Sequence, residues 1–201
     1  METDKQKHRR ERIEDAAYAV LQEKGYKGAS MLDIAKRAGC SNETLYRWYG
    51  NKQTLFASLV TANAAAVKAQ IEQSIQTDGD TIEELRLLGP QLLDLVTSRR
   101  AIALNRAAAG DVYHTGTLGP AIAQGGKDTI APLVGKLIAS GMERQMLQRS
   151  DPAEIAAIFI ALLIGDTQIQ RVIGVIPELT DAQKEDRADR ACAVIQKLYG
   201  V

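Results

Sequence analysis

Apolar residues recur three and four positions apart along most of the chain, the spacing that gathers them on one side of an α-helix. Between residues 5 and 24 the stripe is Ile13, Ala16, Ala17, Val20 and Leu21, and Gly25 stands where a left-handed residue ends a helix. Ser30, with Asp33 three residues on, opens a short helix in the manner of a capping box. Leu32, Ile34, Ala35 and Ala38 are its apolar set, and Gly39 closes it. Ser41 opens a third short helix that runs to about Trp48. Gly50 then breaks it, and Asn51 caps a long fourth helix reaching about residue 76. The same spacing predicts helices over 81–97, 99–109, 117–124, 127–148, 151–173 and 181–199, with Pro132 and Pro152 in first turns, where a missing N–H costs little. No stretch alternates as a half-buried strand does. The expectation is an all-α chain: a three-helix head over residues 1–52, joined through the long fourth helix to a helical body over 53–201.

Within the head, "AGCS" (residues 38–41) is a tight turn between two short helices, the layout of a helix-turn-helix. The helix after the turn begins with Ser41, Asn42, Glu43 and Thr44, short or amide-bearing groups at the end that enters a major groove in such motifs. Asn can bond adenine, Glu can accept from cytosine, and a Thr methyl can meet thymine. The same residues also suit a solvated helix start, where Glu is favoured by the dipole. Tyr46, Trp48 and Tyr49 tip the balance. The chain is only 4% aromatic, and three rings within four residues cannot all face one core. Their polar hydrogens can reach phosphate, as can Arg47 and Lys52. Lys52 also stands beside the free N–H groups of the fourth helix, which together make an anion site.

Charge adds a sign. The chain carries 25 basic and 25 acidic residues, yet residues 1–56 hold 11 Lys and Arg against 8 Asp and Glu, so the head is basic and the body acidic. The start, "KQKHRRER", is either an arm reaching phosphate or the minor groove or a solvated helix start, with Arg9 and Arg10 the foremost contacts.

Residues 9–56 resemble the DNA-binding domain of the TetR family of bacterial transcriptional regulators. The resemblance rests on the first helix ending in Lys24-Gly25-Tyr26, "DIAKRAG", then S-x-x-T-L-Y, an aromatic pair, and "NK" opening helix four. It implies a dimeric DNA-binding protein with a helical ligand-binding and dimerisation body. It places Ser30, Thr44, Tyr46, Trp48 and Lys52 where the family meets phosphates, and Asn42, Glu43 and Arg47 where it approaches bases. The acidic Glu43 departs from the family, as do Trp48-Tyr49 in place of Tyr-Phe and Ala29 in place of a frequent Thr. The C-terminal half resembles the AefR-like branch around "GD" at 165–166.

The body holds a run, Ile155 to Ile164, with no polar face, and a helix apolar all round is buried all round. Its own domain can cover one side, and a partner chain the other. The family implies a four-helix dimer interface from the last two long helices, so Ile155, Phe159, Leu162 and Leu163 with Ala191, Val194, Ile195 and Leu198 are the expected contacts. Arg106, Tyr113, His114, Gln124, Asp166 and Gln170 are the polar residues expected around an unidentified small-molecule effector. Other classes find little support. Two distant cysteines, Cys40 and Cys192, make neither a disulfide framework nor a metal cluster, and fit a reducing cytoplasm. No catalytic constellation or cofactor motif occurs, and the longest apolar run is about half a membrane span. The expected function is a sequence-specific DNA-binding transcriptional regulator, a homodimeric repressor released from a palindromic operator by a small ligand. The alternative is a helical ligand-binding or scaffold protein whose head docks a protein partner.

Overall fold

The computed structural model describes residues 4–77 and 79–201, and among these every regular element is an α-helix. In order they are α1 (Asp4–Gly28), α2 (Met31–Ala38), α3 (Asn42–Tyr49), α4 (Lys52–Gln76), α5 (Thr81–Thr97), α6 (Arg99–Asp111), α7 (Leu118–Gly125), α8 (Lys127–Glu143), α9 (Pro152–Ile164), α10 (Thr167–Ile173) and α11 (Asp181–Tyr199). A single antiparallel bridge, Leu147 to Gly200, is the one strand-like pairing described.

Two compact units form. One takes the chain up to Ala62 together with Ala103–Ala123; the other takes Asn63–Ile102 and Gln124–Val201. Residue 52 is therefore no break in the chain path. Helix α4 begins there and contributes residues to both units, and the stretch 103–123 joins the head. It does so because Leu104, Ala107 and Leu118 bury themselves in the head's core beside Leu55, Phe56 and Leu59.

In the first unit the helix starts are set by side-chain caps. Ser30 Oγ accepts from Asp33 N at 3.1 Å, Ser41 Oγ from Thr44 N at 3.1 Å, and Asn51 Oδ1 from Thr54 N at 2.8 Å. Gly39 (φ 63°) ends α2 in the left-handed conformation that lets α3 turn away at once, and Arg12 donates to the Ala38 carbonyl from α1. Ile13, Ala17, Ile34, Leu45, Leu55 and Phe56 are fully buried between these helices. Leu32, expected in this core, is exposed, and Met31 takes its place.

In the second unit α5 packs on α11, and α9 on both α8 and α11. The α5–α11 approach is close enough that a Cβ at Gly89 would stand 2.5 Å from that of Ala188. Two expected helices end early. The 127–148 segment stops at Glu143, and Pro132 lies inside α8 rather than in its first turn. The 151–173 segment breaks into α9 and α10, bent by 44°. Gly165 (φ 51°) ends α9 in a backbone conformation that favours glycine, its N–H donating to the Ala161 carbonyl at 2.8 Å, and Arg187 of α11 donates to the carbonyls of Leu163 and Ile164, each at 2.9 Å, and so satisfies the end of the helix. No single helix is long and apolar enough to cross a membrane.

Candidate nucleic-acid interface

Helix α3 has two faces. Leu45 is fully buried and Thr44 nearly so, with the Thr44 hydroxyl 2.8 Å from that of Ser41. Asn42, Glu43, Tyr46 and Arg47 are exposed. At four-residue spacing, Asn42 falls over Tyr46 and Glu43 over Arg47, so the four make one continuous outward face. It offers an amide, a carboxylate, a phenol and a guanidinium, enough to bond both base edges and phosphate oxygens. Tyr46 is 48% exposed, the most open ring of the three.

Three expected contacts lie differently. Thr44 is buried at 7% exposure, and its hydroxyl is engaged by Ser41. Trp48 is half-buried against the head core, and the Arg9 guanidinium lies 5.8 Å from its ring centre, a cation–π contact that ties the start of α1 to α3. Lys52 is also turned in. Its ammonium donates to the carbonyls of Tyr26 at 2.7 Å and Ala29 at 3.1 Å and sits 4.4 Å from the Tyr26 ring centre. Burial lowers the Lys52 pKa, and the Asp111 carboxylate opposes that shift. Lys52 thus fastens the α1–α2 turn to α4, where the sequence suggested a phosphate grip.

Ser30 is exposed, but its hydroxyl donates to Asp33 Oδ2 at 2.7 Å, and Asp33 also pairs with Lys24 at 2.9 Å. The hydroxyl bond to Ser30, followed by that to Lys24, holds the Asp33 carboxyl below its ordinary value. Arg9 and Arg10 are exposed on α1, which is helical from Asp4, so the basic start extends a helix.

The six residues expected around an effector are divided between the two units. Arg106, Tyr113 and His114 are exposed in the first unit, with Tyr113 94% open. Gln124, Asp166 and Gln170 belong to the second, where Gln170 donates to Asp166. The second unit instead has a groove of about 460 Å³ lined by residues including Asn63, Val67, Gln91, Leu95, Ser98 and Arg100. None of the six lines it. Its signal in the sequence is Asn63, a lone amide in the apolar run "TANAAAV", which donates to the Leu95 carbonyl at 3.1 Å.

The expected dimer contacts divide. Ile155, Phe159, Leu163, Ala191 and Ile195 are at most 1% exposed within their own unit and form its core, so they cannot meet a partner. Leu162, Val194 and Leu198 are open at 42%, 37% and 54%.

A helix-turn-helix with an outward polar recognition face, carried by an otherwise helical chain, defines the class: a DNA-binding protein of the helix-turn-helix kind. Residues 13–59 match the model of bacterial regulatory proteins of the tetR family, and residues 83–201 match the C-terminal domain of AefR-like transcriptional repressors. The chain belongs to the TetR family of transcriptional regulators, with an AefR-like C-terminal domain. Among its relatives is YvkB of Bacillus subtilis (strain 168), an uncharacterized HTH-type transcriptional regulator, 28% identical over 158 residues that cover 77% of this chain and 78% of that one. A TetR transcriptional regulator from Agrobacterium tumefaciens has the same fold, with TM-score 0.75, 26% identity and coverage of 96% and 95% of the two chains. A TetR-family regulator from Mesorhizobium loti MAFF303099 superposes over the whole of both chains with TM-score 0.81 at 24% identity. The protein is a DNA-binding transcriptional regulator.

Proposed function

We propose that the chain is a homodimeric, cytoplasmic repressor that binds a palindromic operator and is released by a small molecule. The observation that carries the DNA half is the outward face of Asn42, Glu43, Tyr46 and Arg47 on a helix pinned by Leu45 and Ser41. Asn42 and Arg47 read base edges, Glu43 accepts from a cytosine amine, and Tyr46 donates to phosphate. Ser30 adds a phosphate contact once its proton leaves Asp33, and Arg10 supplies long-range attraction. Arg9 acts chiefly by holding Trp48.

The dimer forms through the open apolar face of α9 and α11, with Leu162, Val194 and Leu198 at its centre and Ala161 and Ala193 around them. Isologous pairing of this face places two recognition helices about a two-fold axis, which makes the operator palindromic. The groove beside Asn63 and Leu95 supports the effector half. A ligand there contacts α4, whose length runs on to Lys52 and the head, and it controls DNA binding by favouring the state of lower DNA affinity.

The test is a gel shift on the DNA upstream of the protein's own gene, at several salt concentrations, beside a random duplex. Specific binding that Tyr46→Ala or Arg47→Ala weakens supports the reading. Equal affinity for both duplexes, unmoved by either change, sinks it.

A further inference from the structure

Asp111 takes no part in the recognition face, yet it is 2% exposed and heavily bonded. Its carboxylate accepts from Thr115 Oγ1 at 2.6 Å, Thr115 N at 3.2 Å, Thr117 N at 3.1 Å and Leu118 N at 3.5 Å. A buried carboxylate is tolerated only when so satisfied, and these bonds fix the turn from the end of α6 to the start of α7. The turn seats Leu118, which is 1% exposed, in the head core.

Tyr26 belongs to the same core as Leu118, and Lys52 is joined to Tyr26. The Tyr26 ring meets Phe56 edge-on at 5.2 Å and shares the head core with Leu118. The Lys52 ammonium sits over that ring and bonds the two carbonyls of the α1–α2 turn. The charge of Asp111 is felt at both groups: it opposes the fall that burial imposes on Lys52 and adds to the rise that burial imposes on Tyr26. An acid outside the helix-turn-helix sequence thus fixes the turn that seats Leu118 in the same core as Tyr26 and Phe56.

We propose that Asp111 is a positioning residue for DNA binding: through the 111–118 turn it sets Tyr26 and Lys52, and with them the α1–α2 turn and the start of α4 relative to the recognition helix. The proposal rests on the reading that this head binds DNA. An Asn at 111 keeps the shape but turns two acceptor oxygens into one, sets an N–H2 against several donors, and removes the negative charge facing Lys52.

Two readouts on the full-length protein test it, one independent of DNA. In hydrogen exchange, Asp111→Asn speeds exchange of the amides at 26–31 and 52–56 and leaves α5 and α9 as in wild type. In binding to a duplex enriched by the wild-type protein from a random-sequence pool, Asp111→Asn loses on the order of tenfold in affinity. Thr115→Val, which keeps the charge and removes one donor from an exposed side chain, shows a smaller loss of the same kind. Asp151→Ala, which uncaps α9 in the other unit, lowers stability without the affinity loss. Unchanged exchange at 26–31 overturns the proposal, whatever the DNA result. Faster exchange with wild-type affinity overturns it as well, because Asp111 is then a structural residue only. A wild-type protein that enriches no duplex, with the exchange result as expected, refutes the DNA reading and with it Asp111's role in binding.

Discussion

Asn42, Glu43, Tyr46 and Arg47 share one face but not one task, and their chemistry separates them. On the proposed reading Arg47 bonds base edges, so Arg47→Ala is expected to cost about 1–3 kcal/mol against a preferred duplex and far less against random DNA. Glu43→Gln removes a carboxylate that phosphates repel. It raises affinity for random duplex while altering which base is preferred, a change that selection from a random pool reveals. Lys52→Met gives the opposite pattern to a phosphate contact. It lowers the melting midpoint of the head by removing the bonds to Tyr26 and Ala29, but leaves the dependence of affinity on log salt unchanged, whereas loss of one phosphate contact changes that slope by about 0.9. The two cysteines differ in the same local way. Burial pushes the Cys192 thiol up to about 11 and closes it from solvent, while Cys40 is half-exposed. A thiol reagent at neutral pH therefore labels Cys40 in the native protein and reaches Cys192 only on unfolding. Residue types around the turn were legible in the sequence, but their directions were not. Whether Thr44 and Lys52 face DNA or the protein is decided by Ser41 and by carbonyls more than twenty residues away, which no local spacing reveals.

Helix starts were readable because their causes are local. Ser30, Ser41 and Asn51 each cap the helix that follows, and each bond spans only three residues. Helix ends in the body were harder. The apolar pattern continues through Ile164, and α9 stops at Gly165, a local signal masked by the unbroken apolar run before it, with a guanidinium from α11 on the last carbonyls. Arg187→Ala leaves the Leu163 and Ile164 carbonyls without their charged donor. It destabilises the second unit by about 1–3 kcal/mol, measured as a lower denaturation midpoint with the head's DNA affinity retained. The α6–α7 turn has its own signature in acid. Burial alone raises the Asp111 carboxyl, but bonds from the Thr115 hydroxyl and from the N–H groups of Thr115, Leu118 and Thr117 outweigh it and hold the group below its ordinary value. A carboxyl depressed in the folded state stabilises fully above its unfolded pKa, and that stabilisation is lost as pH falls through the folded one. The stability advantage of wild type over Asp111→Asn is therefore constant down to about pH 4 and shrinks below it. A difference that stays flat to the acid limit contradicts the bonded, ionised Asp111.

For the whole molecule, the apolar run of α9 was legible as a helix buried on every side, but the division of that burial was not. Ile155, Phe159 and Leu163 fill their own unit, and the neighbouring Leu162 is left outside. A four-residue register separates core from surface, and only the packing of α8 and α11 fixes that register. Leu162→Glu with Val194→Glu places two charges on the open face and leaves the core untouched. The expected result in sedimentation equilibrium is a folded monomer for the variant against the proposed dimer for wild type, with affinity for a palindromic duplex falling steeply. The direct test of the whole reading is binding of the wild-type protein to duplex DNA, followed by fluorescence anisotropy across a range of salt concentrations. The expected result is one duplex sequence, palindromic about its centre, bound at least a thousandfold or so more tightly than random DNA, with log affinity falling linearly against log salt. Weak binding of equal strength to every duplex would contradict it.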